Sequence, residues 1–303
     1  MVSIDESRKF LDPGTVALIA NYRLVARLIV EGFFMGLHAG PRHAFSMEYS
    51  KHREYYPGDS LRLVDWKIFG KTDRFYVKQF EEETNLQAWL LLDISKSMSY
   101  QGETAAISKI RYASCLAAAM AYLLLDQRDL VGLILFDDRL RKMIYPSSAG
   151  KQLDILLKEL SRIQEGPGSS FEDAACLAAS RIKKRGLIIL FSDLLGTPDR
   201  IERTLKHYLH KGNELIVFHI LSPEELKFPF TKFGFFKDLE TSEKVLLQPE
   251  FLRNEYLRHM ENYLKTVKNL CGRLRVSYQL VETTSPFDRA LTLFLESRRK
   301  ISR

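Results

Sequence analysis

Leu90-Leu91-Leu92-Asp93-Ile94-Ser95-Lys96-Ser97-Met98 is an apolar run that stops at an aspartate and continues with serines at alternate positions. The stretch Leu86–Leu92 reads as a strand buried on both faces, the kind found in parallel sheets covered by helices. The D-x-S-x-S that follows sends one carboxylate and two hydroxyls off the end of that strand on a tight turn. Such a donor set is hard, oxygen-only and low in charge, which suits Mg²⁺ or Mn²⁺ rather than zinc.

Outward from this strand the same rhythm repeats. Further short apolar runs lie at Leu130–Phe136, Leu187–Phe191, Leu215–Leu221 and Leu274–Val281. Helical patterns separate them at Ala105–Asp126, Lys151–Ile163, Phe171–Lys183, Pro198–Lys211, Glu250–Cys271 and Pro286–Arg299. Gly186 and Gly212 read as helix stops just ahead of strands. Strands alternating with amphipathic helices predict a doubly wound, mainly parallel α/β sheet with helices on both faces. This domain is expected over residues 86–303. Residues 222–245 interrupt it with Pro223, Pro229 and five phenylalanines, either a flap or a partner-binding surface. Residues 1–85 read as a separate, smaller region: one helix over Pro13–Phe34, strand-like alternation at His43–Tyr49 and Arg74–Phe80, and a Pro57-Gly58 turn between them.

At 303 residues the chain can bury a large core, and its composition is that of an ordinary globular protein. The longest apolar stretch, Tyr112–Leu125, has about 14 residues where a membrane span needs about 20. Arg23 and Arg27 interrupt the other apolar segment one helical turn apart. No signal-peptide pattern opens the chain, so a cytoplasmic location is expected. Cys115, Cys176 and Cys271 are widely spaced, which predicts reduced thiols rather than disulfides or a zinc site. The formal charge of +7 permits acidic partners. Nucleic-acid binding is not expected, because no continuous basic stripe interleaved with aromatics is present. Lys183-Lys184-Arg185 and Arg298-Arg299-Lys300 fall at helix ends, where cations favour the macrodipole.

In open α/β sheets ligands gather beyond the carboxyl ends of the strands. Asp193 ends the run Leu187–Ser192 as abruptly as Asp93 ends its own. The loop Gly166-Pro167-Gly168-Ser169-Ser170 lies just ahead of a predicted helix, where a serine also serves as an N-cap. Two carboxylates and several hydroxyls could complete an octahedral shell with water. Asp137-Asp138 also follows a strand but reads as a turn into the hairpin Arg141–Tyr145, and His219 reads as a satisfied core residue.

Asp93-x-Ser95-x-Ser97, the hydroxyl loop and Asp193 together resemble the metal-ion-dependent adhesion site of von Willebrand factor A domains. That resemblance implies that Asp93, Ser95, Ser97, Ser169 (or Ser170 in its place) and Asp193 surround a divalent metal. It also implies that one coordination position stays open for an acidic side chain of a protein partner. The usual residue of the third loop is threonine; here the hydroxyl is a serine. The string Arg53-Glu54-Tyr55-Tyr56-Pro57-Gly58-Asp59-x-x-Arg62-x-x-Asp65-Trp66-Lys67 resembles the signature of the bacterial domain of unknown function 58 family. Lys71-Thr72-Asp73-Arg74-x-Tyr76-Val77-Lys78-x-x-Glu81-Glu82-Glu83-Thr84-Asn85 continues the likeness, and Gly36-x-His38 precedes it. Many members carry membrane helices before this region, and this chain resembles the short soluble branch. The resemblance implies a MoxR-type AAA+ ATPase as partner, in the assembly or activation of protein complexes. The alternating charges around Trp66 suggest an ion-paired brace.

These features favour a non-enzymatic, metal-dependent binding module. The alternative is a Mg²⁺-dependent phosphoester hydrolase with Asp93 as nucleophile. Against it, Ser95 stands where the second acid of aspartyl phosphatases is expected, and no G-x-x-x-x-G-K-[ST] loop is present.

Overall fold

The computed structural model describes residues 12–36, 52–55, 66–78, 86–163, 171–239 and 243–301. Among the described residues two helices come first, α1 (Pro13–Ala17) and α2 (Tyr22–Gly36). A small unit follows with β1 (His52–Glu54), α3 (Trp66–Thr72) and β2 (Tyr76–Lys78). The α/β run then comprises β3 (Gln87–Asp93), α4 (Lys109–Asp126), β4 (Leu130–Phe136), β5 (Leu140–Ser147), α5 (Gln152–Leu160) and α6 (Phe171–Arg181). It continues through β6 (Leu187–Ser192), α7 (Pro198–Leu209), β7 (Glu214–Leu221) and α8 (Pro223–Lys227). Last come β8 (Gly234–Lys237), β9 (Lys244–Leu247), α9 (Pro249–Arg273), β10 (Ser277–Glu282) and α10 (Phe287–Ile301).

Six strands form the central sheet in the order β10-β7-β6-β3-β4-β5, all parallel except the β4–β5 hairpin. The inner strands are apolar throughout because both faces are covered. On one face Trp89, Leu91, Ile134, Ile188, Leu190 and Val217 pack against α6, α7 and α9. On the other, α4 packs on β3 and is itself covered by α2, α5 and α10. That cover explains the apolar stretch Tyr112–Leu125, nearly all of which is buried. Among the described residues no helix is long and apolar enough to cross a membrane.

Contacts group the first helices with the α/β body, and residues 38–85 form the second compact unit. The division expected at residue 85 instead places those helices with the smaller region. Their attachment has a clear cause: Val25, Ile29 and Phe33 of α2 are buried, and Arg111 of α4 stacks on Tyr22, 4.2 Å from its ring centre. Arg23 and Arg27 face outward, paired with Asp154 and Glu31. The single helix expected over Pro13–Phe34 is broken between Leu18 and Asn21. The Asn21 side chain accepts the Arg23 N–H at 2.9 Å, so it caps a new helix instead of continuing the old one.

In the small unit, β1 pairs antiparallel with β2, and Phe69 stacks on Phe75 with Trp66 edge-on to both. Aromatic packing is what the described residues show around Trp66. Residues 56–65, 43–49 and 164–170 lie outside the described residues, and with them most of the charged string, the Pro57-Gly58 turn and the first predicted strand.

Gly212 has φ 73°, the left-handed conformation of a helix stop. Gly186 serves a different purpose: a Cβ there would sit 2.1 Å from the Gln87 carbonyl oxygen of β3. Its role is close approach between strands.

Candidate functional site

From β3 the sheet grows one way through β4 and the other way through β6, so the crevice between the carboxyl ends of β3 and β6 is the topological switch point. Asp93 is the last residue of β3, Ser192 the last of β6, and Asp193 follows it. All three are buried.

The turn after β3 is built by Asp93 itself. Its Oδ1 accepts the Ser95 N–H at 2.9 Å, and the 3-10 turn Lys96–Ser99 starts from there. The Ile94 N–H donates to the Phe136 carbonyl at 2.8 Å, which holds the turn against β4. Ser95 and Ser97 point the same way, their hydroxyl oxygens 3.1 Å apart. Across the crevice the Ser192 hydroxyl donates to Asp93 Oδ2 at 2.6 Å and accepts the Leu194 N–H at 3.0 Å. Leu194 has φ 49°, a conformation that costs a non-glycine residue about 1 kcal/mol or more. The Tyr263 hydroxyl donates to the Leu194 carbonyl and helps hold that backbone.

The electrostatics separate these groups. Burial, and then the Asp193 charge nearby, push the Asp93 carboxyl up to about 7 in spite of its hydrogen bonds. Asp193 has a cation of its own: Lys109 Nζ donates to its Oδ2 at 2.8 Å and to Glu225 Oε1 at 2.6 Å. Burial alone would lower Lys109, yet the two carboxylates hold it above the usual lysine value. His219 is buried with Nε2 2.9 Å from the Asp193 carbonyl and Nδ1 2.7 Å from the Tyr278 hydroxyl. A carbonyl only accepts, so Nε2 carries the proton and Tyr278 donates to Nδ1. Burial pulls this imidazole down to about 4, so it stays neutral. His219 is the satisfied core residue that the sequence suggests.

The structure thus brings together Asp93, Ser95, Ser97 and Asp193. Ser169, and Ser170 as its alternative, lie outside the described residues. Among the described residues no group of three or more His, Cys, Asp or Glu is arranged to hold a metal, so a cation here depends on hydroxyl oxygens. Two observations show that the donors present fit one. Asp93 is held at the expense of its charge, which a cation would relieve. The Tyr208 hydroxyl is fully buried without a hydrogen-bond partner among the described residues, and near enough to Asp93 to feel its charge. Oxygen donors of this kind suit a hard divalent ion.

Three residues of the site were missed in the sequence. Ser192, passed over for its neighbour, is the group that touches Asp93. Lys109 gave little signal, because the helix read from Ala105 places it within the helix; the structure makes it the first residue of α4, where the macrodipole opposes a cation. Glu225 was legible as the last member of a capping box, Ser222-Pro223-Glu224-Glu225.

Among the described residues of 222–245, some phenylalanines pack down and others stay exposed. Phe228 is buried against Tyr256 (4.5 Å between ring centres), and Phe230 and Phe236 pack with it. Phe233 and Phe235 remain 64 % and 71 % exposed. Cys115 and Cys271 are buried free thiols, both pushed up to about 12 by burial.

A family model described as "Protein of unknown function DUF58" matches residues 51–265. The chain is similar to Uncharacterized protein Rv1480 of Mycobacterium tuberculosis, 24% identical over 299 residues that cover 95% of this chain and 91% of that protein. Among solved structures it is similar to the conserved hypothetical protein BatB from Bacteroides thetaiotaomicron (18% identity, 71% of this chain and 99% of the other, TM-score 0.44). An aerotolerance-related membrane protein from Bacteroides fragilis is comparable (18% identity, 71% and 99%, TM-score 0.46). Likeness at those TM-scores carries no argument about function.

Proposed function

The chain belongs to the DUF58 family, and from that premise we propose that it is a non-enzymatic, divalent-metal-dependent protein-binding module. In this reading the α/β body is a von Willebrand factor A-like domain with a metal-ion-dependent adhesion site. Asp93, Ser95 and Ser97 hold Mg²⁺ or Mn²⁺ directly or through water, Asp193 orients the waters, and Ser169 adds a hydroxyl from its loop. When bound, the ion supplies an open coordination position for an acidic side chain of a partner. A MoxR-type AAA+ ATPase is the proposed partner, acting with this chain in the cytoplasm to assemble or activate other complexes.

The observation that carries the reading is the meeting of Asp93, Ser95 and Ser97 with the end of β6 at the switch point, Asp93 being buried among neutral donors with no ion-pair partner among the described residues. The same geometry gives the hydrolase reading little support. Ser95 and Ser97 bond to each other, and the nearby imidazole of His219 spends both nitrogens internally.

Affinity capture with the purified chain as bait tests the proposal. Capture in Mg²⁺ should be lost in chelator and with Asp93→Ala, while far-UV circular dichroism stays unchanged. Capture that persists in chelator contradicts it. Metal-dependent phosphoester turnover abolished by Asp93→Asn would favour the hydrolase instead.

A further inference from the structure

Among the described residues Lys109 is the one lysine or arginine that is fully buried. Neither burial nor its place at the first position of α4 favours a cation there. Ser108, just ahead, already caps the helix by accepting the Arg111 N–H. What the ammonium does is join two carboxylates from separate elements, Asp193 after β6 and Glu225 in α8.

Glu225 is committed on both oxygens: Oε1 to Lys109, and Oε2 to the Ser222 N–H at 2.7 Å. Its carbonyl accepts the Tyr256 hydroxyl at 2.9 Å, beside the ring on which Phe228 packs. Lys109 therefore lies between the metal-site carboxylate and the root of the aromatic insertion. Formal charge gives the arrangement a second meaning. Asp93, Asp193 and Glu225 against Lys109 leave two negative charges in excess, since His219 is neutral. One divalent ion balances that excess; without Lys109 the excess would be three.

We propose that Lys109 is a tethered cation built into the site, which sets the site's charge for one divalent ion and, through Glu225, fastens the insertion to it. The charge-setting part rests on the metal-binding reading above; the fastening part does not. Lys109 touches no bound ion in this reading; it acts through its charge on Asp193 and through its bond to Glu225.

The test is Mn²⁺ titration of the full chain, followed by electron paramagnetic resonance, together with backbone hydrogen exchange over residues 222–228. Lys109→Met should tighten Mn²⁺ about tenfold or more, because a unit charge near the ion is removed. Glu225→Gln should weaken it about threefold or more for the converse reason. Both variants should exchange faster over 222–228. Opposite effects on metal separate charge-setting from simple structural support, which would make both variants weaker. If both weaken, or neither changes, the charge-setting role is overturned. If exchange over 222–228 is unchanged, the fastening is overturned whatever the metal does. Should Lys109→Met fail to fold, Glu225→Gln still decides: tighter or unchanged Mn²⁺ binding overturns the proposal. Absence of Asp93-dependent Mn²⁺ binding in the unaltered chain overturns the metal reading and charge-setting together, and exchange then decides the fastening alone.

Discussion

Asp93 and Asp137 stand at the ends of adjacent parallel strands; Asp93 pairs with Phe136 in the ladder, and Asp137 comes one residue later. Both are buried, and both accept the backbone N–H two residues on. There the likeness stops. Arg141 approaches both oxygens of Asp137 at 2.7 Å, and this guanidinium overcomes burial to hold the carboxyl below the usual aspartate range. Asp93 meets two serines and the field of a second aspartate, and is pushed up to about 7. A strand-end aspartate that closes a hairpin brings its own counter-charge within four residues. Asp93 is surrounded by neutral donors and has no ion-pair partner among the described residues.

Taking the counter-charge from the structural aspartate should have the largest effect on stability. Arg141→Met leaves the Asp137 carboxylate without its guanidinium partner and should destabilise the fold. Thermal melting would read this as a lowered melting temperature. Metal binding should be unaffected; a matching change in Mn²⁺ affinity would break the distinction between the two strand ends.

Acid should come next. The folded-state value of His219, about 4, lies below the ordinary 6.5, so the folded chain resists taking the proton that the unfolded chain accepts. Stability from this group is fully present above pH 6.5 and falls as the pH drops toward 4, by about 3 kcal/mol at most. His219→Gln keeps a donor for the Asp193 carbonyl and should flatten the decline. An equally steep decline in the variant would place the acid sensitivity elsewhere.

The smallest effect sharpens the comparison most. Asp93 titrates in the opposite sense, its folded value lying above the unfolded 3.8. Its contribution is fully present below pH 3.8 and is lost as the pH rises through about 7. At pH 8 in chelator, Asp93→Asn should therefore be more stable than the unaltered chain, by about 1–2 kcal/mol once the amide's loss of one of the two acceptor oxygens is set against the linkage. Mg²⁺ should then raise the melting temperature of the unaltered chain alone. An Asp93→Asn chain that melts lower in chelator would mean that the carboxylate is structurally compensated, like Asp137.

The central strands were legible because burial on both faces leaves an unbroken apolar run; Leu130–Phe136 is read to the residue. The edge strand was less so. Leu274 looks like a strand start, but its N–H donates to the Leu270 carbonyl and Arg275 turns left-handed (φ 57°), so it still belongs to the end of α9. Asn21 shows the same limit for helices, since its cap hides inside an apolar pattern. In the site, Asp93, Ser95, Ser97 and Asp193 could be found because each sits at the end of a readable strand. Lys109 and Glu225 could not be placed there from spacing: they lie 84 and 32 residues from Asp193, Lys109 on the sequence side of β3's turn and Glu225 in an insertion. Only the packing of α4 beside the end of β6, and the Lys109 bond to Glu225 of α8, bring them together.

The central claim is that Asp93 waits for a divalent ion, and equilibrium Mn²⁺ titration of the unaltered chain and Asp93→Ala tests it most directly. The expected result is saturable binding of one ion per chain, competed by Mg²⁺ and lost in Asp93→Ala while that variant remains folded. No saturable binding by the unaltered chain, or equal binding by both, would contradict the account.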